Sequence, residues 1–150
     1  MNKQFFQKVL PTQGNICVVG IKDEIVRPKF YDNLDDALDQ IETFDKENCN
    51  TFFAVGTFEG YQRKAASCIF QRAFFVDVDC GEGKPYANWA VGLLALRQFI
   101  KETELPEPII VNSGHGIHAY WPFTDDVPAQ EWKPYAELFK QFCINKGFKI

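Results

Sequence analysis

The feature that most limits how this chain can fold is an apolar run that ends in two aspartates. Residues 73–78 read AFFVDV, and the side chains stay apolar at successive positions until Asp77 and Asp79. Apolar side chains on both faces of a strand are typical of the centre of a covered sheet. The sequence therefore predicts a central strand over Ala73 to Val78, with polar chemistry at its carboxyl end.

The patterns on either side of this strand predict an α+β fold. β-branched and aromatic runs predict strands over residues 16–21, 51–58, 109–111 and 117–123, the last two as a hairpin. Apolar residues at helical spacing predict helices over residues 34–44, about 86–102 and about 129–146. Five side chains of the last helix are expected to face inward: Trp132, Tyr135, Leu138, Phe139 and Phe142. Since no repeat or linker is visible, residues 1–150 are expected to form one domain with a mostly antiparallel or mixed sheet.

Composition narrows the class of partner and the cellular setting. With 46% hydrophobic residues, a chain of 150 residues can supply the core of one domain. A net charge of −4 does not give the basic surface that holds duplex DNA by bulk electrostatics, so any nucleic-acid contact must be local. Five scattered cysteines without C-x-x-C spacing favour a reducing setting, and neither a leader segment nor an apolar span is visible. We therefore expect a cytoplasmic protein that does not enter membranes.

The two aspartates are candidate metal ligands. Alternation along a strand places Asp77 and Asp79 on the same face. Neighbouring carboxylates at the end of an apolar strand repel each other and lose hydration, and a divalent cation such as Mg²⁺ or Mn²⁺ compensates both effects. D-x-D pairs also occur in glycosyltransferases and nucleases, and two aspartates before Gly81 are equally consistent with a polar turn. The residues alone leave both interpretations open.

A second polar segment is the glycine-containing turn NSGHG with the strand that follows it. Gly114 and Gly116 free the backbone for a close approach, so exposed amides and the Ser113 hydroxyl are suited to phosphate oxygens. Alternation along the predicted strand puts His118 on the opposite face from Ile117, away from the core or in a cleft. A surface or core histidine with one local hydrogen bond is the alternative.

Taken together and in this order, the two segments resemble the archaeo-eukaryotic primase superfamily, specifically the primase-polymerase domains of phage, plasmid and viral primase-helicases. The matching stretches are residues 74–81 (FFVDVDCG) and 113–121 (SGHGIHAYW). The strand at 53–58 and the basic pair Arg63 and Lys64 precede the first stretch, as in similar proteins, so the resemblance covers roughly residues 50–150. It implies an RRM-like catalytic core in which helices flank the sheet.

The resemblance also implies an activity, which is template-directed nucleotidyl transfer that makes DNA or RNA primers in DNA replication by two-metal catalysis. By that resemblance, Asp77 and Asp79 hold catalytic Mg²⁺ or Mn²⁺ ions. His118 is a catalytic residue that contacts the phosphates of the incoming nucleoside triphosphate. The further nucleotide-binding positions are Ser113, Gly114 and Gly116, although many relatives have serine where Gly116 stands.

Three basic residues are candidate phosphate contacts. Lys84 follows the aspartates closely enough to be a partner of the triphosphate on charge and position. Arg63 and Lys64 are candidate contacts to the phosphates of a single-stranded DNA template. The alternatives are a solvated turn lysine and a solvated basic pair.

Two-metal chemistry of this kind usually needs a third carboxylate. In similar proteins, a hydrophobic residue followed by Asp comes soon after a segment like residues 147–150, where this sequence ends. The upstream acids Asp125, Asp126 and Glu137 do not fall at the expected position. We therefore expect a domain that is truncated at its C-terminal end, with a helicase domain as a candidate partner in the parent protein.

Two other classes of function remain open on the residues. One is a non-catalytic module that binds nucleotide or single-stranded DNA through aromatic side chains and the glycine turn. The other is a metal-dependent nuclease or rolling-circle initiator, which the spacing His115-x-x-His118 suggests. Such initiators pair histidines with one intervening residue and use a tyrosine on a helix, whereas Tyr120 follows on a predicted strand.

Overall fold

The computed structural model describes residues 2–150, which form four α-helices and six β-strands. The helices are α1 (Lys3–Val9), α2 (Leu34–Lys46), α3 (Trp89–Thr103) and α4 (Ala129–Asn145). The strands are β1 (Asn15–Lys22), β2 (Ile25–Tyr31), β3 (Asn50–Phe58), β4 (Cys68–Asp79), β5 (Ile109–Asn112) and β6 (Gly116–Pro128). A short 3₁₀ turn, Ala65–Ser67, precedes β4. The predicted α+β class is therefore confirmed.

All six strands belong to one antiparallel sheet with the order β2-β1-β3-β4-β6-β5. The predicted strand over residues 73–78 is the carboxyl-terminal half of β4, which lies between β3 and β6, so its central position is confirmed. The hairpin is also confirmed, because β5 pairs with β6 from Ile109 opposite Tyr120 to Asn112 opposite Ile117. The site segments thus lie on internal strand β4 and on its neighbour β6.

One part of the prediction for β4 is wrong. Val76 and Val78 are buried, but Phe75, Asp77 and Asp79 alternate with them and are exposed. The strand is therefore covered on one face only at its carboxyl-terminal end. The sequence predicted burial on both faces because a phenylalanine occupies an exposed position of the strand. Hydrophobicity alone does not distinguish a buried phenylalanine from an exposed one.

Helix boundaries follow the side chains that cap them. The Asn33 side chain accepts a hydrogen bond from the Asp36 amide at 2.9 Å, and α2 begins at Leu34, where the spacing predicted it to begin. The Asn88 side chain accepts one from the Val91 amide at 3.0 Å, so α3 begins at Trp89 and not near residue 86. Residues 81–86 instead form a hydrogen-bonded turn between β4 and α3.

Helix α4 covers the sheet through a narrower stripe than predicted. Phe139 stacks on Phe74 with ring centroids 5.2 Å apart and meets the edge of Trp121 at the same distance. Tyr135 and Leu138 are about two-thirds exposed, so their predicted inward orientation is wrong. Helical spacing shows which side chains share a face, but it does not show how much of that face a neighbouring element covers.

The chain divides into two compact units. One comprises residues 2–72 with Phe123–Trp132, and the other comprises Ala73–Pro122 with Lys133–Ile150. The second unit has its own core, in which the buried side chains of β4 and β6 pack with Leu96 and Phe99 of α3 and Cys143 of α4. Both aspartates and His118 belong to this second unit. The single-domain expectation for residues 1–150 stays a prediction.

In the first unit, a buried ion pair ties the segment after α1 to β6. Asp126 has a side chain that is 3% exposed, and it accepts hydrogen bonds from the Thr12 and Gln13 amides at 3.0 Å. Arg72 donates to the same carboxylate at 2.8 Å. Burial by itself raises the pKa of Asp126, but these donors outweigh that effect and hold the pKa below its ordinary value. The carboxylate oxygens of Asp126 therefore have a structural role.

None of the helices among residues 2–150 has the length and apolar character that crossing a membrane requires.

Candidate functional site

The two aspartates lie at the end of β4 on its exposed face. Their neighbours Val76 and Val78 point into the core beneath the helices, so alternation directs both carboxylates away from it. The Asp77 side chain is 63% exposed. The predicted common face is thus present, and both carboxylates are accessible from solvent.

His118 comes from β6 and meets Asp77. Its Nε2 atom lies 3.4 Å from Oδ1 of Asp77, and its Nδ1 atom lies 3.4 Å from the Tyr120 hydroxyl. Ile117 is fully buried on the opposite face, as the alternation predicted. A neutral imidazole with its proton on Nε2 satisfies both contacts, because Nε2–H donates toward the carboxylate and Nδ1 accepts from the hydroxyl.

Tyr120 belongs to the site as a partner of His118, a role that the sequence did not indicate. Its side chain is 4% exposed, and burial, aided by the negative charge of Asp77, raises the pKa of Tyr120 to about 12. The hydroxyl therefore keeps its proton at neutral pH and can donate to His118. A buried hydroxyl of this kind is poorly suited to be a nucleophile, which argues against the rolling-circle initiator. The signal in the sequence was its spacing of two from His118, which puts both side chains on one face.

The glycine turn is organised by its own hydrogen bonds. The Ser113 amide donates to the Gly116 carbonyl at 3.0 Å, and the Gly114 amide donates to the Asn112 side chain at 2.9 Å. These two amides are therefore engaged within the turn, which leaves less backbone for phosphate oxygens than the sequence suggested. His115 is exposed at the tip, as predicted, and its carbonyl accepts from the Cys80 amide at 3.1 Å.

Gly116 fits against β4 where no other residue fits. A Cβ atom at this position would overlap the carbonyl oxygen of Val78 and would lie 3.3 Å from the Cα atom of Asp79. The backbone of Gly116 is not in the left-handed region, so the requirement for glycine is one of space. A serine at this position would make the same overlap as any other residue with a Cβ atom.

A cleft of about 330 Å³ opens where this turn meets the start of α3. Its lining includes Cys80, Gly81, Asn88, Trp89, Gly114 and Gly116. A volume of this size can hold a small ligand. Two of the predicted nucleotide-binding residues therefore border a real depression, and two residues that the sequence did not nominate, Asn88 and Trp89, border it as well. A larger cavity of about 480 Å³ lies in the other unit, between α1 and the start of α2.

The basic candidates lie on the surface. Lys84 is exposed in the turn after β4, where its amide donates to the Gly81 carbonyl at 3.1 Å. Arg63 and Lys64 are exposed before the 3₁₀ turn and belong to the first compact unit, so they are not part of the unit that carries the aspartates. Their assignment to DNA and triphosphate phosphates stays a prediction.

The donor chemistry of the aspartate pair fits a hard divalent cation. Mg²⁺ is commonly held by one or two carboxylates together with waters and substrate phosphates, and Mn²⁺ accepts the same oxygens. Within residues 2–150, no group of three or more His, Cys, Asp or Glu side chains converges as a complete ligand set. Asp77 and Asp79 are the residues that would hold such an ion.

Comparison of this chain with family models, curated proteins and solved structures found no match.

Proposed function

We propose that this chain is a primase-polymerase catalytic domain with an RRM-like core, similar to those of the archaeo-eukaryotic primase superfamily. It would transfer nucleotides from nucleoside triphosphates onto primers along a single-stranded DNA template, in the cytoplasm of a bacterium or of an infected host cell. The observation that supports this most is the meeting of His118 with Asp77, 3.4 Å apart, on the exposed face that also carries Asp79. Two sequence segments about forty residues apart supply these groups, in the order that the resemblance requires.

Each residue has a role that its geometry supports. Asp77 and Asp79 present anionic oxygens to solvent at a strand end, where they can bind Mg²⁺ or Mn²⁺. When bound, the metal ions would activate a 3′-hydroxyl and neutralise the triphosphate as pyrophosphate leaves. His118 is held between Asp77 and Tyr120. Since 3.4 Å is long for a hydrogen bond, its Nε2–H can turn to a phosphate oxygen without the loss of a strong contact.

The buried hydroxyl of Tyr120 has a positioning role in this proposal. It keeps its proton at neutral pH, since its pKa is about 12, and so it acts toward Nδ1 of His118 as a donor. That contact leaves the proton of the imidazole on Nε2, the atom that faces Asp77 and solvent. Tyr120 would thereby favour one tautomer of the ring, through a contact that is as long as the one to Asp77.

The first prediction concerns Asp77→Asn. We expect the substitution to weaken Mn²⁺-dependent binding of a nucleoside triphosphate by roughly 10- to 100-fold, because one of two anionic metal ligands is lost. Primer synthesis on single-stranded DNA should fall at least as much. Binding is measured by calorimetry and synthesis by incorporation of labelled nucleotides. Asp39→Asn, the same change at an exposed position of α2, is the matched control and should alter neither quantity.

The outcomes separate the candidate functions. If the unmodified protein binds no nucleotide in the presence of Mn²⁺, or if Asp77→Asn binds it equally well, the metal-nucleotide site is wrong. If binding depends on Asp77 but neither this chain nor a version extended past Ile150 makes primer, the non-catalytic binding module is the better description. Cleavage of the DNA strand without primer synthesis would favour the metal-dependent nuclease.

A further inference from the structure

Phe75 occupies a position that its chemistry does not favour. It lies on the exposed face of β4, two residues before Asp77, and 39% of its surface is accessible. The alternating residues Val76 and Val78 are 5% and 0% exposed. A single exposed apolar side chain is ordinary on protein surfaces. A large aromatic ring presented beside two carboxylates and a histidine, on an internal strand, is a more specific arrangement.

The ring of Phe75 has a rigid neighbour. Its centroid lies 6.3 Å from that of Tyr120, and the two planes are tilted by 39°. Tyr120 is itself buried and is in contact with His118 through its hydroxyl. An aromatic side chain has only two side-chain torsions, so a ring that is held against a buried partner loses little further freedom when a ligand stacks on it.

The spacing from the acidic end suits a nucleotide. Residues two apart on a strand are separated by about 6.8 Å along its axis. If the phosphates of a nucleotide are held at Asp77 and Asp79, its sugar and base can therefore extend along the strand to Phe75. A flat aromatic base is a chemical group that stacks well on the accessible part of a phenylalanine ring, and 39% of the Phe75 surface is accessible. The exposed face of β4 thus has oxygen ligands at its carboxyl end and an aromatic ring, Phe75, two residues before Asp77.

We infer that Phe75 is the stacking contact for the base of the nucleoside triphosphate whose phosphates are held at the aspartates. The inference rests on the proposed function. It assigns Phe75 a binding role that is tolerant of base identity, because every base presents a π-face and a phenyl ring makes no hydrogen bonds to base edges. Purine and pyrimidine nucleotides should therefore both use it.

The test compares ATP with inorganic tripolyphosphate, each in the presence of Mn²⁺, by calorimetry. Phe75→Ala should weaken ATP binding about tenfold, as for the loss of one base-stacking contact, and should leave tripolyphosphate binding unchanged. Phe75→Trp, which keeps an aromatic face, should bind ATP as well as the unmodified protein. Phe75→Leu, which keeps much of the apolar volume without the ring, should repeat the selective loss if the alanine variant does not fold. UTP should show the same pattern as ATP.

Two controls separate this inference from the proposed function. Phe52→Ala removes another exposed phenylalanine, 54% accessible on β3 in the first unit, and should change binding of neither ligand. Asp77→Asn should weaken binding of both ligands. If Asp77→Asn changes neither while Phe75→Ala still weakens ATP, the metal-phosphate site fails and the base contact stands.

Three results would overturn the stacking role. One is an equal loss of ATP and tripolyphosphate binding in Phe75→Ala, which would indicate a structural effect. Another is unchanged ATP binding in Phe75→Ala or in Phe75→Leu. The third is an unmodified protein that binds ATP no better than tripolyphosphate, since no base contact would then exist.

Discussion

Asp126→Asn is expected to lower the free energy of unfolding by about 3 kcal/mol at pH 7, because it leaves a partly buried arginine without its counter-charge. Arg72 has a side chain that is 18% exposed and donates to the carboxylate at 2.8 Å. The amides of Thr12 and Gln13 donate to the same group at 3.0 Å. The amide side chain of asparagine has only one oxygen that can accept hydrogen bonds from these donors. Its NH₂ group would face the remaining donors and could not accept from them. Urea denaturation, followed by circular dichroism, measures the loss.

The size of this loss should depend on pH. The pKa of Asp126 in the folded protein lies below its ordinary value of about 3.9. The charged carboxylate therefore stabilises the fold fully above the ordinary value, and the contribution disappears as pH falls through the lower pKa of the folded state. The difference between Asp126→Asn and the unmodified protein should be large at pH 7 and should shrink below about pH 4.

Asp125→Asn is the matched control for this experiment. Asp125 neighbours Asp126 on β6 but is exposed, so the same loss of charge should change the free energy of unfolding by at most about 0.5 kcal/mol. Equal effects of the two substitutions would show that net charge, and not the buried network, determines stability here. A loss that stays constant between pH 7 and pH 3 would contradict the depressed pKa of Asp126.

Local sequence patterns predicted those parts of the fold that depend on one segment at a time. The helix that Asn33 caps and the hairpin of β5 and β6 follow from spacing, capping and turn residues within a short window. Strand β2 was not predicted, because Arg27, Pro28 and Lys29 interrupt its apolar pattern. Such residues are tolerated in an edge strand, which has pairing on one side only, and β2 is the first strand of the sheet.

The sequence predicted which face of the sheet carries the candidate site residues, but it did not predict which of these residues are in contact. Alternation gave the common face of Asp77 and Asp79 and the outward side of His118. The meeting of His118 with Asp77 depends on the pairing of strands that are far apart in the chain, and no short window contains that information. Exposure of Phe75 and burial of Tyr120 were missed for a related reason, since both depend on what covers the face of the sheet.

Gly116→Ala is expected to lower the free energy of unfolding by about 3 kcal/mol or more, because the added methyl group meets backbone that cannot rotate away. Its Cβ atom would overlap the carbonyl oxygen of Val78. Relief requires β6 to move away from the end of β4. That movement would stretch the hydrogen bond from the Cys80 amide to the His115 carbonyl, now 3.1 Å, and would displace His118. The loss is measured by urea denaturation.

Gly116→Ser extends the same experiment to the site, since the proposed resemblance implies a serine at this position in many relatives. If the turn could accept it, the hydroxyl would add a phosphate contact and nucleotide binding would improve. The overlap with Val78 leads us to expect the opposite, a loss of stability like that of alanine together with weaker Mn²⁺-dependent nucleotide binding. Gly114→Ala is the control, because its Cβ meets no atom within 4 Å and only the left-handed backbone, φ +85°, opposes it. That strain costs about 1–2 kcal/mol. A Gly116→Ala protein as stable as Gly114→Ala would show that β6 yields easily, and the fixed position of His118 beside Asp77 would then lose its structural basis.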